Sequence, residues 1–451
     1  MLDTEGADRG GGMGPASPIP PMPRPAMGAE AGQEESSMSG LGGQQRRVLQ
    51  QARLPWDKAV KDPRDARGRR HGHLGLLGLV VAAFAVGKKG LKQAAQLARD
   101  VGARTRKRLG LPQAVVGSTL WRLLEKQPAE GLRQTMRAQV QQVLKDPRTP
   151  RQPFPMGVLS LDGKSLWTTH QGEVEGLQAV ANDEAGRELW RLGALRAVLT
   201  SVVAAPCLDM EFISAKEGES PAFRQLFPRV VQAYGEHFGV VTGDAGLTAA
   251  PNAALVRQWG KHYCFGLKAN QPTLHEYAVR VIAAKQCPAR ARTQQRAHGK
   301  TVVRELWTHA LKQDEVDFPG ARMLLLVRQQ HWDDDGTFEE EYRYFVTSLD
   351  TTLFNFKQLL RLVRVHWGIE NRHHWTLDVV LGEDERQPCR PTRTALEVVA
   401  WLRAMAFNLL SFFRSRLPPE GRHLVEWARA CELLRDSLVH GRRQELLLTA
   451  A

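Results

Sequence analysis

Hydrophobic residues recur at helical spacing between residues 50 and 148 of the chain. The runs at 74–86 and 90–101 are the clearest, and each predicts one helix. Ser118 is the expected N-cap of a further helix that ends at Leu124. We therefore predict an N-terminal helical domain over residues 50–148.

Beyond a proline-rich linker at residues 147–155, short apolar runs alternate with helical ones. The runs that predict strands lie at 158–161, 166–169, 177–180, 239–242 and 262–267. Helices are predicted at 221–234, at 253–259 and from Pro272 onward. Strands that alternate with helices predict an α/β fold in which helices pack on a sheet.

Strand-like runs return at 323–328 and 342–348, which predicts a β-rich insertion over about residues 287–350 of a domain spanning 156–412. Helical spacing resumes after Leu353, and residues 413–451 are expected to be a helical extension. Residues 1–49 are rich in Gly, Pro, Ser and Met, and they have too few apolar side chains to offset the entropy of ordering. We predict that they form a disordered tail.

Charge is distributed unevenly along the 451 residues, which carry a formal net charge of +14. Residues 51–150 contain 21 Lys and Arg against 7 Asp and Glu, whereas residues 151–451 contain 37 against 35. The excess therefore belongs to the helical domain. A basic surface of this kind favours a polyanionic partner, and nucleic acid is the simplest one.

Cysteine usage and hydropathy indicate the cellular compartment in which the protein acts. The five cysteines are scattered and include no Cys-x-x-Cys pair, which argues against a disulfide scaffold and for a reducing cytoplasm. The longest uncharged run, residues 74–86, falls short of the roughly 20 residues that a membrane helix needs. No basic segment followed by an apolar stretch marks a secretion signal, so we expect no membrane partner.

Three acidic residues stand where an α/β sheet would display them. Asp162 follows the strand in "VLSLDGK", Asp244 follows the strand in "GVVTGDAG", and Glu370 lies on the predicted helix "VRVHWGIENRHHW". An Asp at a strand end is usually only a turn or cap residue. Three acids that converge on one point would instead repel one another, and a divalent cation such as Mg²⁺ or Mn²⁺ would relieve that repulsion.

The text around these acids resembles the DDE transposases of bacterial insertion sequences, and among them the group associated with H-repeat elements. The matching blocks are "LDGK" at Asp162, "GDAG" with "LKANQPTL" after Asp244, and a block of about twenty positions that begins with "HWGIEN" around Glu370 and ends at Asp384. Weaker agreement includes "SAKEGES" around Lys216 and Glu219. The resemblance covers most of residues 58–412.

This resemblance implies a ribonuclease-H-like mixed sheet with flanking helices, and it implies Asp162, Asp244 and Glu370 as the catalytic ligands of two Mg²⁺ or Mn²⁺ ions. It further implies a bacterial enzyme that cuts and joins double-stranded DNA at element ends, acts in the cytoplasm on nucleoid DNA, and pairs two ends as a homodimer. Lys164, Lys268 and His366 are the expected phosphate contacts.

Some positions depart from the resemblance, and other functions stay open. Related groups place a Tyr, an Arg and a Lys around the last acid, where this chain has Val363, His366 and Leu377. A domesticated, non-catalytic DNA-binding protein would keep the basic helices and lose an acid. A stand-alone metal nuclease would keep all three acids and join no ends.

Overall fold

The computed structural model describes residues 54–439, apart from 57, 102, 109, 112, 171–173, 175, 183–184, 214–217, 283–286, 298–299, 335, 385–391 and 420–423. The predicted tail at 1–49 and Lys216 lie outside the described residues. The described helices are α1 His73–Ala85, α2 Leu91–Asp100, α3 Ala103–Arg108, α4 Gly117–Leu124, α5 Glu130–Leu144, α6 Glu219–Tyr234, α7 Ala250–Gln258, α8 Pro272–Val281, α9 Phe356–His366, α10 Arg393–Arg414 and α11 Trp427–Val439. The strands are β1 Val158–Thr169, β2 Gln178–Asn182, β3 Glu188–Val198, β4 Cys207–Ile213, β5 Val240–Gly243, β6 His262–Leu267, β7 Ala291–Ala297, β8 Lys300–Ala310, β9 Met323–Trp332 and β10 Phe338–Thr347.

The N-terminal part is helical, as the hydrophobic spacing predicts. Helix α1 is apolar on all sides and almost wholly buried, which is typical of a helix surrounded by other elements. It contacts α2 and the long helix α10. The predicted cap at Ser118 is wrong, because α4 already begins at Gly117 and its N-cap position is Val116, which has no side-chain acceptor.

All ten described strands belong to one sheet. Its order is β2-β3-β1-β5-β6-β10-β9-β8-β7. Strand β4 pairs with the same edge of β3 as β2 does, further along β3. Strands β1, β5 and β6 are parallel to one another, and β3 runs antiparallel to β1. The predicted α/β class is confirmed, because the described strands form a mixed sheet that is flanked by helices.

Helices cover both faces of the sheet at β6. Successive side chains of this strand point to opposite faces, and each face meets a helix. Cys264 packs in the cluster beneath α9, together with Leu359 and Val363 of that helix. The next residue, Phe265, faces the opposite side and meets Phe223 of α6 edge-on, with ring centroids 6.3 Å apart. Both faces of the sheet at β6 are therefore covered by a helix, which leaves the strand ends as the accessible part of this central region.

The β-rich region at residues 291–347 extends the main sheet. Strand β10 pairs antiparallel with β6, from Tyr344 opposite Leu267 to Thr347 opposite Cys264. Strands β9, β8 and β7 follow in sequence as antiparallel neighbours. The region predicted as an insertion is thus hydrogen-bonded directly to the central strands.

Helix α10 is the central packing element of the helical side. It is long and apolar enough to span a membrane, and it is the one helix in the described part of the chain with that property. Its residues are nearly all buried inside the protein, where it contacts α1, α4, α5, α11 and β4. Asn408 of α10 bonds both the N–H and the carbonyl of Cys207 at 2.8 and 2.9 Å, so the helix also satisfies the start of β4.

Candidate active site

Two of the candidate acids lie side by side because β1 and β5 are parallel neighbours. Leu161 pairs with Gly243, so the residues that follow, Asp162 and Asp244, leave the same end of that pairing. The sequence predicts that the first strand ends at Asp162. This is wrong, because β1 continues to Thr169 by pairing with β3 after β5 has stopped. Asp244 does follow its strand, as predicted.

The turn after β5 fixes the Asp244 backbone. The Asp244 carboxylate accepts a hydrogen bond from the Leu247 N–H at 3.3 Å, which caps a short 3₁₀ turn. Asn270 donates to the Ala245 carbonyl at 2.5 Å from the loop that follows β6. A β-carbon on Gly266 would come within 3.1 Å of the Ala245 nitrogen, so β6 can lie this close only because that position is glycine.

Glu370 approaches from a π-helical segment that follows α9 directly. This segment comprises Ile369–His374 and Thr376–Val380, and Glu370 is exposed in its first turn. Such segments are rare and often occur at functional sites. The sequence predicts a helix here, and the structure adds the change in its winding.

The three acids lie in a shared electrostatic environment. The pKa of Asp162 is raised to about 6, mainly by burial and in part by the Asp244 carboxylate, against an opposing effect of His366. Burial also raises the pKa of Glu370, to which Asp162 and Asp244 add. The structure therefore brings Asp244 close enough to disfavour ionisation of Asp162, and both of them close enough to disfavour ionisation of Glu370.

A fourth carboxylate, Glu219, occupies the same place. A β-carbon added to Gly163 would collide with Glu219 Oε1, and one added to Gly246 would lie 3.1 Å from Glu219 Oε2 and 3.3 Å from Asp244 Oδ1. Burial, Asp244 and Asp162 raise the pKa of Glu219 to about 7. No site role for Glu219 was predicted; the only sequence signal was its place in the weakly matching "SAKEGES" block.

Two histidines line the buried side of these acids. His366 is fully enclosed and its Nδ1 lies 3.1 Å from the Thr242 hydroxyl, while burial lowers its pKa. His374 Nδ1 lies 3.4 Å from Asp162 Oδ2, and burial together with Arg196 lowers its pKa strongly. Both rings lie on the buried side of the carboxylates, and the burial of His366 disfavours the predicted direct contact with a phosphate.

The two predicted lysines differ in exposure. Lys164 is almost completely buried, and its Nζ lies 2.6 Å from both carboxylate oxygens of Asp378. Lys268 is exposed in the turn after β6, where its charge lowers the pKa of Glu370. A phosphate contact is therefore compatible with the position of Lys268, whereas the charge of Lys164 is already neutralised by its partner.

A buried ion pair anchors the end of the π-helical segment. Arg196 of β3 and Glu383 form two hydrogen bonds of 2.6 and 2.8 Å, and both side chains are inaccessible to solvent. Removing either partner would leave an uncompensated buried charge, which is strongly destabilising. The segment that carries Glu370 is thus tied to the sheet at its far end.

The donor chemistry of the acids suits Mg²⁺ or Mn²⁺, since every candidate ligand is a carboxylate. Burial is the main cause of the raised pKa values of Asp162, Glu219 and Glu370, and neighbouring carboxylates add a repulsion that a cation would remove. Across the residues that the structure describes, no three His, Cys, Asp or Glu side chains already form a group able to hold an ion.

Comparison with known protein families shows to which family this chain belongs. The family described as "Transposase DDE domain" matches residues 153–409, more than half of the chain. This chain belongs to that family. The match includes all ten strands of the transposase DDE domain and all four carboxylates described above.

Individual relatives of this transposase domain are distant. "H repeat-associated putative transposase YhhI" of Escherichia coli K12 is 25% identical over 188 residues, which make up 38% of this chain and 47% of the relative. "Putative transposase YncI" of Escherichia coli O157:H7 is 26% identical over 182 residues, 38% of this chain and 45% of the relative. The transposase domain thus matches about half the length of these curated relatives, and the resemblance seen in the sequence is confirmed.

Among solved structures, a piggyBac transposase in a synaptic complex with hairpin DNA is similar over 88% of this chain and 79% of its own chain. The TM-score is 0.44 and the sequence identity is 9%.

Proposed function

We propose that this transposase domain cuts double-stranded DNA at the ends of a mobile element and joins the cut strand to a target. Asp162, Asp244 and Glu370 would be the catalytic ligands of two Mg²⁺ or Mn²⁺ ions. The observation that carries the proposal is the coupling of these three carboxylates at one end of the β1–β5 pairing. The basic N-terminal helices would add affinity for the DNA backbone.

The side chains of this domain would have separate tasks. Asp162 and Asp244, fixed by the strands, would set where the scissile phosphate lies, and Glu370 would close on it from the π-helical segment. The bound ions would supply a lowered pKa for the attacking hydroxyl and charge stabilisation for the leaving oxygen. Lys268, at the rim, would neutralise phosphate charge. Hydrolysis and joining would then differ only in the attacking hydroxyl.

The proposal is tested on DNA duplexes that carry the terminal repeats flanking the gene, incubated with Mg²⁺ or Mn²⁺. Asp162→Asn, Asp244→Asn and Glu370→Gln should each abolish cleavage while DNA affinity stays within about twofold of wild type, because phosphate contacts supply most of that affinity. Asp317→Asn, at an exposed position outside the site, is the matched control and should cleave normally.

The same assay separates the two other functions. Pre-cut ends supplied with a target duplex give joined product for a transposase and none for a stand-alone nuclease. A domesticated DNA-binding protein would bind the repeats and neither cut nor join. If single-residue variants at the three acids cut as well as wild type, the assignment of the site is wrong.

We further propose that the active complex is a homodimer that pairs two element ends in the bacterial cytoplasm. This part rests on the need to handle two DNA ends together. Sedimentation of the protein with and without a repeat duplex would test it, and a complex with one protein chain per two ends would contradict it.

A further inference from the structure

A polar cavity of about 540 Å³ opens beside Glu370, between the face of strands β7–β10 and the segment that follows α9. It is lined by Gln295, Arg304, Gln329, His331, Arg343, Arg364, Trp367, Gly368, Glu370, Asn371 and Arg372. Four of these side chains are guanidinium groups, and Glu370 is the single acid among them. We call this cavity the arginine pocket.

The positive charge of the arginine pocket is poorly compensated. Arg343 pairs with Glu341 at 2.5 Å, but within the described part of the chain Arg304, Arg364 and Arg372 make no ion pair. Arg304 and Arg364 instead bond the neutral amides of Gln329 and Gln295. These arginines are held beside one another without the carboxylates that usually accompany such groups.

The guanidinium groups repel one another in consequence. Burial lowers the pKa of Arg304 to about 10, with further contributions from Arg364 and Arg343. Burial and Arg372 lower the pKa of Arg364 in the same way. Arg304 Nη1 is buried and has no hydrogen-bond partner among the described residues. An anion in the pocket would satisfy that donor and remove the repulsion.

Two contacts orient arginines of the pocket. The Arg343 guanidinium lies 3.5 Å from the centroid of the Trp367 ring, a cation–π contact that favours this arrangement of both side chains. Arg304 stands directly opposite Gln329 on the paired strands β8 and β9, so its position follows from the register of the sheet. Donors held in this way select an anion of defined shape over a diffuse ionic atmosphere.

The volume of the arginine pocket and its location beside Glu370 indicate which anion it binds. The volume lies within the range of about 300–1,000 Å³ that encloses a whole small ligand, so the pocket has room for more than a single phosphate. Glu370 belongs both to the pocket wall and to the acid site, so whatever enters the pocket lies next to the bond that the acids would attack. A continuous chain of phosphates that passes both sites meets these requirements.

We propose that the arginine pocket binds consecutive phosphodiesters of the DNA strand beside the scissile bond, with Arg304 and Arg364 as the principal contacts. This inference rests on the proposed function for its choice of DNA strand. The pocket would hold the strand so that the neighbouring phosphate lies at the carboxylates, and the β-rich region would thus take part in positioning the substrate.

The test is binding without divalent ions, so that it is independent of cleavage. Repeat duplexes carrying a single neutral methylphosphonate, moved one position at a time across the element end, are titrated by fluorescence anisotropy. Wild type should lose roughly tenfold in affinity at one to three adjacent positions near the end, because each replaced phosphate removes a charged contact. Arg304→Gln and Arg364→Gln should bind more weakly and lose this sensitivity at those positions alone.

Arg296→Gln is the matched control: it removes the same charge from β7, where Arg296 is exposed and paired with Asp334. It should keep the wild-type profile, and thermal melting should show that all three variants are folded. Equal sensitivity in Arg304→Gln and wild type would overturn the proposal. So would a flat profile in wild type combined with competition by inorganic pyrophosphate, which would mean that the pocket takes a free anion.

The outcomes separate this inference from the proposed function. Asp162→Asn should keep the full methylphosphonate profile although it does not cut. If neither wild type nor any variant cuts DNA and the methylphosphonate profile still depends on Arg304, the proposed DNA contact of the arginine pocket is supported and the catalytic assignment is wrong.

Discussion

Lys164 Nζ lies 2.6 Å from both carboxylate oxygens of Asp378, and this pair joins β1 to the π-helical segment that carries Glu370. Asp162 lies within β1 and Asp244 directly follows β5, so the sheet fixes the positions of both acids. Glu370 lies outside the sheet, so the distance from Glu370 to these two acids depends on links such as this ion pair.

We predict that Lys164→Met and Asp378→Asn each lower stability by about 1–3 kcal/mol, because each leaves a largely buried polar partner unsatisfied. Urea unfolding would measure this loss. Cleavage should fall by a larger factor than stability alone explains, since Glu370 would be less well positioned. Repeat-duplex binding should keep its salt dependence, whereas a direct phosphate contact by Lys164 would make the slope smaller by about 0.9.

The second prediction concerns pH and metal. The pKa of Asp162 rises from 3.8 to about 6 on folding, and that of Glu219 rises from 4.5 to about 7. Because both values are higher in the folded state, the protonated acids contribute stability that is complete below about pH 4 and is lost as the pH rises through 6 and 7. A shift of two units corresponds to roughly 3 kcal/mol for an isolated acid.

Thermal melts in EDTA between pH 4 and pH 8 would test this linkage. Asp162→Asn should melt above wild type at pH 8, and the difference should shrink towards pH 4. Mg²⁺ or Mn²⁺ should raise the melting temperature of wild type at pH 8 and have little effect at pH 4, where protons already neutralise the acids. A metal effect of equal size at both pH values would contradict the carboxylate assignment.

The third prediction assigns Glu219 a part in ion binding. Its carboxylate lies against Gly163 and Gly246 beside Asp244. Glu219→Gln keeps the shape of the side chain and removes one negative charge, so the affinity of the DNA-free protein for Mn²⁺ should fall about tenfold or more. Isothermal titration calorimetry or electron paramagnetic resonance would measure it.

Glu236→Gln, in the exposed turn after α6, is the control for this substitution and should bind Mn²⁺ as wild type does. Unchanged Mn²⁺ affinity in Glu219→Gln would mean that Glu219 is a buried acid with no part in the site. Its removal should then raise stability at pH 8 and alter nothing else.

The fourth prediction concerns the basic helices. Deleting them is uninformative, because α1 packs against α10 and its loss would expose the core. Substituting the exposed residues Lys92, Arg99 and Arg122 by Gln should instead weaken DNA binding and reduce the salt slope by about 0.9 for each lost phosphate contact. Binding isotherms measured between 50 and 200 mM salt would show this loss, and we expect the affinity to change by about tenfold.

The control for the basic helices is a triple Gln variant at Arg257, Arg280 and Lys357, which are distant in sequence from these helices. A similar loss in both variants would mean that overall charge, and not the helical surface, determines the affinity.

The positions of two acids could be predicted because each follows an apolar run that is a buried strand of the parallel part of the sheet. The length of β1 could not, since Lys164 and Ser165 interrupt the apolar run and only pairing with β3 keeps that stretch extended. Strands β3 and β4 were not predicted, because β3 is buried along most of its length and lacks the alternation of a half-exposed strand.

The rest of the site depends on tertiary contacts. The π-helical winding around Glu370 has no local signature, since the same residues suit an ordinary helix. The arginine pocket joins residues from β8, β10 and both sides of the α9 end, so no sequence spacing reveals it. Glu219 begins a helix, where an acid is common for reasons of the helix dipole alone.

Strands β7 to β10 share one continuous ladder of hydrogen bonds with β6, and this limits how the protein can adapt to its substrate. A region joined in this way cannot swing over DNA as a hinged flap, because doing so would break the pairing of β10 with β6. Adjustment must come from side chains or from the π-helical segment. Among the described strands, β7 lies at the end of this part of the sheet and pairs with β8 alone, so substitutions there would disturb the central strands least.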